Sequence, residues 1–275
     1  MNKIIVSLTL AIFSSTFSIS ASSNTIIMGY KDKSKLPLIA DKTDDSGLYK
    51  ELFSRAAEKI GYELKIIRIP KARVHKGLKD GTIDFYPGAS FSTKRGKYLY
   101  YLPNGLTTKE VVVTLADRPE LNSISDMKGK LLVEIGSSKA EWKYPGLKTT
   151  QINRLPMDTV IKALKGGRGD FYIADIEVID YYKKVNNIKS YNDIGIKIHR
   201  FTINKNPVPM NLGFSRKSEL FAETPNPNFK TSEAVTISNF PTVISEDSMA
   251  YRFSQALKQM QESGETQKLY DKYFK

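Results

Sequence analysis

Apolar and polar positions follow two alternating periods along the first third of the chain. Thr25 to Tyr30 (Thr-Ile-Ile-Met-Gly-Tyr) is a short apolar run that predicts a strand. From Gly47 onward the apolar positions are Leu48, Leu52, Phe53, Ala56, Ala57 and Ile60. That is helical spacing, and Gly61 supplies a stop. Glu63 to Ile69 alternates as a second strand and ends at Pro70. Lys71 to Asp80 predicts a short helix with Val74 and Leu78 on one face, and Ile83 to Tyr86 predicts a third strand. Strand, helix, strand, helix, strand implies a parallel α/β sheet.

The pattern then restarts. Val111 to Leu115 and Leu131 to Ile135 predict strands, Thr159 to Lys165 a helix, and Phe171 to Ala174 another strand. One segment occurs twice. Residues 77–86 and 163–172 share Leu-Lys-x-Gly-x-x-Asp-Phe-Tyr, with Asp84 and Asp170 in equivalent places. In both copies a helix ends at Gly, which suits left-handed stop geometry, and a strand begins at Asp. The echo predicts two lobes of similar build, although Gly and Asp are common turn residues and one short echo can also arise by chance. Phe221 to Asp247, with Pro225, Pro227 and Pro241, reads as a long loop. Met249 to Met260 reads as an amphipathic helix, and Leu269, Tyr270, Tyr273 and Phe274 as a final helix packing back onto a core.

The first residues change the picture of where the fold begins. A positive start (Met1-Asn2-Lys3), an uncharged apolar stretch from Ile4 to Phe17, and small residues at Ser20-Ala21-Ser22 form the layout of a secretory signal peptide. Cleavage is expected after Ala21 or Ser22, and a periplasmic location follows. There is no cysteine, so an exported chain of this kind relies on packing without disulfides and has no residue for lipid attachment. Removing the signal segment takes the 42 basic residues to 41 against 29 acidic ones, a net of +12. The Lys and Arg are scattered and no nucleic-acid motif accompanies them, so a solvated basic surface is expected and no nucleic-acid partner.

Catalytic and metal signatures are sparse. The two histidines, His75 and His199, lie in unrelated segments, the first expected on an exposed helix face and the second in an alternating strand. No phosphate-binding loop or metal-ligand cluster stands out, so neither a cofactor nor a metal is expected. Three places suit ligand binding. Residues 87–95 (Pro-Gly-Ala-Ser-Phe-Ser-Thr-Lys-Arg) combine small residues with Arg95, a set suited to a carboxylate. The same stretch also reads as a surface helix capped by Ser92 or Thr93 with Arg95 solvated. Gly136-Ser137-Ser138 follows a strand and precedes a helix start, where free N–H groups attract anions. Asp175 stands at the end of the strand that starts at Asp170, placed either to receive an ammonium or to cap a helix.

In order and spacing these segments resemble the bacterial extracellular solute-binding proteins of family 3, the polar amino-acid receptors of ABC importers. The resemblance runs through the Gly47–Gly61 helix, Leu78-x-x-Gly81-x-x-Asp84, the Ser90–Arg95 loop, Gly136-Ser137-Ser138, Asp170-x-x-x-x-Asp175 and the Tyr270-Asp-Lys-Tyr-Phe274 ending. It implies a type II periplasmic-binding-protein fold: α/β, two lobes, each a mostly parallel sheet flanked by helices, hinged by two crossovers near Val113–Leu115 and Thr202–Met210. The implied division is a signal peptide at 1–22, one lobe from 23–112 plus 207–275, and a second from 113–206. It further implies that Arg95 clamps a ligand carboxylate with Ser90 and the Gly88 backbone. Ser138, with the Ser137 backbone, would complete that site from the second lobe, and Asp175 would hold an α-ammonium. Tyr30, Tyr86, Phe91 and Trp142 are candidate aromatic walls.

The chain departs from the family at the side-chain pocket. The first strand's loop reads Tyr30-Lys31-Asp32-Lys33-Ser34-Lys35, and Lys71 and Arg73 open the next helix. These basic residues face either an acidic ligand or solvent. The expected function is a monomeric receptor for a small carboxylate, such as an amino acid, delivering it to an inner-membrane ABC permease. The alternatives are a binding protein that reports ligand to a membrane sensor, and a dehydratase on the same fold with Glu177 as general acid.

Overall fold

A computed structural model describes residues 24–135, 137–141, 143, 145–199, 201 and 208–274, with the side chains of 138 and 141 excepted. The expected signal peptide lies outside these residues. The first lobe begins with β1 (Thr25–Lys31), α1 (Leu48–Glu58), β2 (Glu63–Ile69), α2 (Lys71–Asp80), β3 (Phe85–Tyr86), α3 (Thr93–Gly96) and β4 (Leu99–Thr108). The chain crosses to β5 (Glu110–Leu115), β6 (Gly129–Glu134), β7 (Leu147–Ile152), α4 (Met157–Lys165), β8 (Phe171–Asp175), α5 (Ile176–Val185) and β9 (Ile196–His199). It returns through β10 (Val208–Ser215), β11 (Glu223–Pro225), β12 (Thr242–Ile244), α6 (Met249–Glu262) and α7 (Glu265–Phe274).

The two main sheets have the same build. One has the order β2-β1-β3-β10-β4, the other β7-β6-β8-β5-β9. In each, three strands run parallel and a strand arriving from the other lobe lies antiparallel beside them. The apolar positions that predicted α1 are its buried face: Leu48, Leu52, Phe53, Ala56 and Ala57. They join Phe85, Phe214 and Phe253 in the core of the first lobe, which α6 closes from the other end of the sequence. The second sheet packs a cluster on each face, one around Val113, Leu164 and Ile179 and one around Leu131, Val133 and Phe171.

The repeated motif has the same structural use in both lobes. Gly81 and Gly167 both take left-handed backbone, φ 88° and 65°, where a side chain is strained. At Gly81 a Cβ would also fall 2.3 Å from the Lys217 carbonyl oxygen. The aspartate that follows ties its strand to the first parallel strand of its sheet, β1 in one lobe and β6 in the other. Asp84 accepts the Ile27 N–H at 2.6 Å while its own N–H donates to the Ile27 carbonyl. Asp170 does the same with Lys130, accepting at 2.7 Å. The carboxylate thus finishes a parallel ladder where the strands have not yet come into register.

Two expectations need correction. Val111 and Val112, expected in the first lobe, pair with Ala174 and Ile173 in the second sheet. The first crossover therefore falls at Lys109 and not at Val113–Leu115, because β4 and β5 are nearly continuous in sequence. Most of the second crossover, residues 202–207, lies outside the described residues, and Val208 to Met210 already belong to β10. The 221–247 segment is not purely loop. It carries the small antiparallel pair β11 and β12, in which Pro225 stands opposite Thr242.

Replacing Asp84 by Ala removes the acceptor of the half-buried Ile27 N–H and of the buried Ser218 hydroxyl. Urea unfolding should show a loss of about 1–3 kcal/mol. Asp170→Ala should cost less, because its N–H partner is exposed to water.

Candidate functional site

A cleft of about 420 Å³ separates the lobes, within the size range of small-molecule sites. Its lining follows from the two sheets. Residues at or just past the carboxyl ends of all six parallel strands converge on it: Tyr30, Lys31 and Lys35 after β1, Lys71 and His75 after β2, Tyr86, Gly88, Ser90 and Arg95 after β3. From the second lobe come Glu134, Ser137 and Lys139 after β6, Arg154 and Asp158 after β7, and Tyr172 to Asp175 at the end of β8. Open α/β sheets place ligands at these strand ends.

Of the residues singled out from sequence, Tyr30, Tyr86, Gly88, Ser90, Arg95, Ser137 and Asp175 all line this one cleft. Gly136, Trp142 and the Ser138 side chain lie outside the described residues. Ser92 does cap α3, accepting the Arg95 N–H at 3.3 Å, but the Arg95 side chain still reaches the cleft. Its guanidinium donates to the Ser90 carbonyl at 3.2 Å, so the loop positions it. Gly88 admits no side chain, since a Cβ would meet the Tyr49 hydroxyl at 2.6 Å.

Tyr30, Tyr86 and His75 form one wall. The Tyr30 and Tyr86 rings stack at 5.2 Å, and His75 stacks on Tyr86 at 5.8 Å. Phe91, a candidate for the same wall, instead packs edge-on against Tyr101 beside the core. Burial pushes the Tyr49 and Tyr172 phenols to about 12, so both are neutral donors.

Asp175 stands immediately before α5, but its side chain makes no capping hydrogen bond to it. Its carboxylate instead takes the Lys35 ammonium at 2.8 Å, across the cleft from the other lobe. Burial opposes the charge on both partners, and their mutual attraction outweighs it: the Asp175 pKa is lowered and that of Lys35 raised. Lys31 and Glu134 make a second cross-cleft pair, at 2.7 and 3.0 Å. Lys139 pairs with Glu110 inside the second lobe. Lys71 differs. Burial, helped by Lys31, Arg95 and Lys35 and resisted by Glu134, pulls its pKa down to about 8. Arg73, the other basic residue opening α2, is exposed and does not line the cleft.

His75 is not the exposed residue that the helix pattern predicts. It is half-buried, with Nδ1 3.1 Å from the Tyr98 hydroxyl. Burial, then Arg95, Lys71 and Lys79, bring its pKa down to about 4. His199 is fully buried, with Nε2 2.8 Å from Thr114 Oγ1 and the Leu121 N–H donating to Nδ1 at 3.1 Å. Sequence reasoning missed Tyr49, Glu134 and Tyr172 as lining residues. Glu134 could have been found as the last residue of a strand already identified, and Tyr172 lies within β8, whose end the sequence reading had placed at the site.

Among the described residues no group of side chains is arranged to hold a metal ion, and no helix is long and apolar enough to cross a membrane. Two sheets with converging strand ends around a charged cleft define a two-lobed binding protein. Residues 26–275 match the bacterial extracellular solute-binding proteins, family 3, and the chain belongs to that family. No curated protein matches the sequence. Solved structures with this fold include the substrate binding protein of an amino acid ABC transporter (21% identity, TM-score 0.62, covering 91% of this chain and 99% of that one). A second is an ancestral amino acid-binding protein, a precursor of cyclohexadienyl dehydratase (18%, 0.62, 92% and 96%). A third is a histidine kinase sensor domain with similarity to periplasmic binding proteins (16%, 0.63, 91% and 96%).

The lowered His75 pKa has a stability consequence. Between pH 6.5 and about 4 the unfolded chain binds a proton at this position that the folded one excludes, so stability falls as pH falls through that window. Urea unfolding at pH 7 and pH 4.5 should show His75→Gln losing less stability than the parent protein, by on the order of 1 kcal/mol.

Proposed function

We propose that this chain is an exported, periplasmic receptor that closes around a small carboxylate and delivers it to an ABC-type permease, without catalysing a reaction. The observation that carries this reading is the meeting of Arg95, Ser90 and Gly88 on one wall with Ser137 on the other, in a cleft of ligand size. A guanidinium beside small residues suits a carboxylate held in a fork. A ligand that touches both walls favours the closed form by its differential affinity for it. Membership of the solute-binding family and likeness to an ABC transporter's binding protein support delivery to a permease.

A sensory role has its own support in the likeness to a kinase sensor domain. Both roles use the same closure. Glu177, the general acid that a dehydratase would need, accepts a hydrogen bond from Thr108 at 2.7 Å and stands outside the cleft lining. That tie spans the first crossover, so the geometry favours a structural use for Glu177.

A thermal-shift screen of amino acids and dicarboxylates should raise the melting temperature for at least one compound, through linkage. For that compound Arg95→Ala should weaken binding about 30-fold or more, the value of a lost charge-assisted contact near 2 kcal/mol, while the unliganded variant keeps its fold. Retention of full affinity in Arg95→Ala would sink the assignment. Uptake of the same compound by cells with and without the gene separates delivery from sensing.

A further inference from the structure

The first lobe contributes only basic side chains to the charged lining of the cleft: Lys31, Lys35, Lys71 and Arg95. Two acids of the second lobe reach across to them. Glu134 takes the Lys31 ammonium with both oxygens, at 2.7 and 3.0 Å, and Asp175 takes that of Lys35 at 2.8 Å. Glu134 also attracts Lys71 and resists the fall of its pKa. Glu110 pairs with Lys139 inside its own lobe, and Asp158 accepts the Tyr182 hydroxyl there. The two lobes are thus joined across the cleft by Lys31–Glu134 and Lys35–Asp175.

Exposed ion pairs contribute little, because water weakens the attraction and two long side chains must be held still. These two are better placed. The side chains of the first pair are 15% and 23% exposed, those of the second 35% and 20%. Their backbones are fixed before the lobes meet. Lys31, Glu134 and Asp175 are the last residues of β1, β6 and β8. Lys35 exchanges both backbone hydrogen bonds with the fully buried Ile39, at 2.9 and 3.1 Å. Pro37 and Leu38, in the same loop, accept the Leu48 and Tyr49 N–H groups at the start of α1. The entropy lost on pairing is therefore that of side chains alone. For Lys35 and Asp175 the attraction exceeds the cost of burial, since the lysine pKa is raised and the aspartate pKa lowered against it.

We propose that these two pairs are a latch: Lys31–Glu134 and Lys35–Asp175 hold the lobes together in the protein with no ligand bound, so that closure is not the work of the ligand alone. The pairs span a cleft of about 420 Å³, so latched lobes keep room for a small molecule. A ligand then adds its differential affinity to an equilibrium that the chain's own charges already favour. Reversing one charge of a sheltered pair sets like charges face to face and favours the open form, in which water solvates both. The latch belongs to the unliganded protein, so it stands or falls separately from the carboxylate reading above.

The chain has no cysteine, so one spin label can be placed on each lobe without background, at Lys94→Cys and Lys162→Cys, both exposed. Pulsed electron-electron resonance then reads the distance between the lobes in protein that native mass spectrometry shows to be free of small molecules. The closed population should dominate in the parent. Lys31→Glu and Lys35→Glu should each lower the closed-to-open ratio at least tenfold. Restoring opposite charge in exchanged positions, as Lys31→Glu with Glu134→Lys, should bring the ratio back to within threefold of the parent, which a merely structural role for Lys31 would not do. Lys35→Glu with Asp175→Lys serves as the second exchange should the first not fold. Solution X-ray scattering on the parent, which needs no substitution, should give the radius of gyration of the closed form. An open unliganded parent, an unchanged ratio in both single variants, or exchanged pairs that fold and stay open overturns the proposal.

Discussion

Everything in the site depends on one constraint: six parallel strands, three in each lobe, end facing the same gap. A parallel strand pair must be joined by a crossover, and α1, α2 and α4 take that path between β1 and β2, β2 and β3, and β7 and β8. Each strand therefore releases its next few residues at the same edge of its sheet. Lys31 and Lys35, Lys71, Arg95, Glu134, Arg154 and Asp175 are scattered over 145 positions of sequence and meet because each follows such an end. The sheets supply rigidity, and the short segments beyond them supply chemistry. Asp84 and Asp170 secure the opposite, starting edge of this arrangement by fixing β3 onto β1 and β8 onto β6.

The hinge is equally economical. A single residue, Lys109, lies between the last residue of β4 and the first of β5. Its carbonyl accepts the Ile176 N–H at 2.9 Å, and Thr108 reaches Glu177. The start of α5 is thus bound to the crossover, and Asp175 is the residue immediately before it.

The architecture was largely legible in the chain because its periods are strong. Alternation in β2, the i, i+4 spacing of α1 and the repeated Leu-Lys-x-Gly-x-x-Asp-Phe-Tyr marked both lobes. Asp175 could be singled out as a charge at a strand's carboxyl end, and Arg95 as a guanidinium following a run of small residues. Three things were hidden. The crossover at Lys109 was placed too late, since Val111 to Leu115 reads as one apolar run whichever sheet it joins. His75 looked exposed, because no helical period reveals that its face of α2 turns toward Tyr86. The Lys35–Asp175 pair spans 140 positions and two lobes, and nothing local in either segment signals it.

That pair can also be expressed as a concentration. A group tethered close to its partner behaves as though present at millimolar levels or above. Lys35 therefore acts as an amine that never dilutes. Free amines in the surroundings compete with it only when they approach that level or bring further contacts of their own. Any cation that approaches Asp175 has to displace a lysine of the same chain.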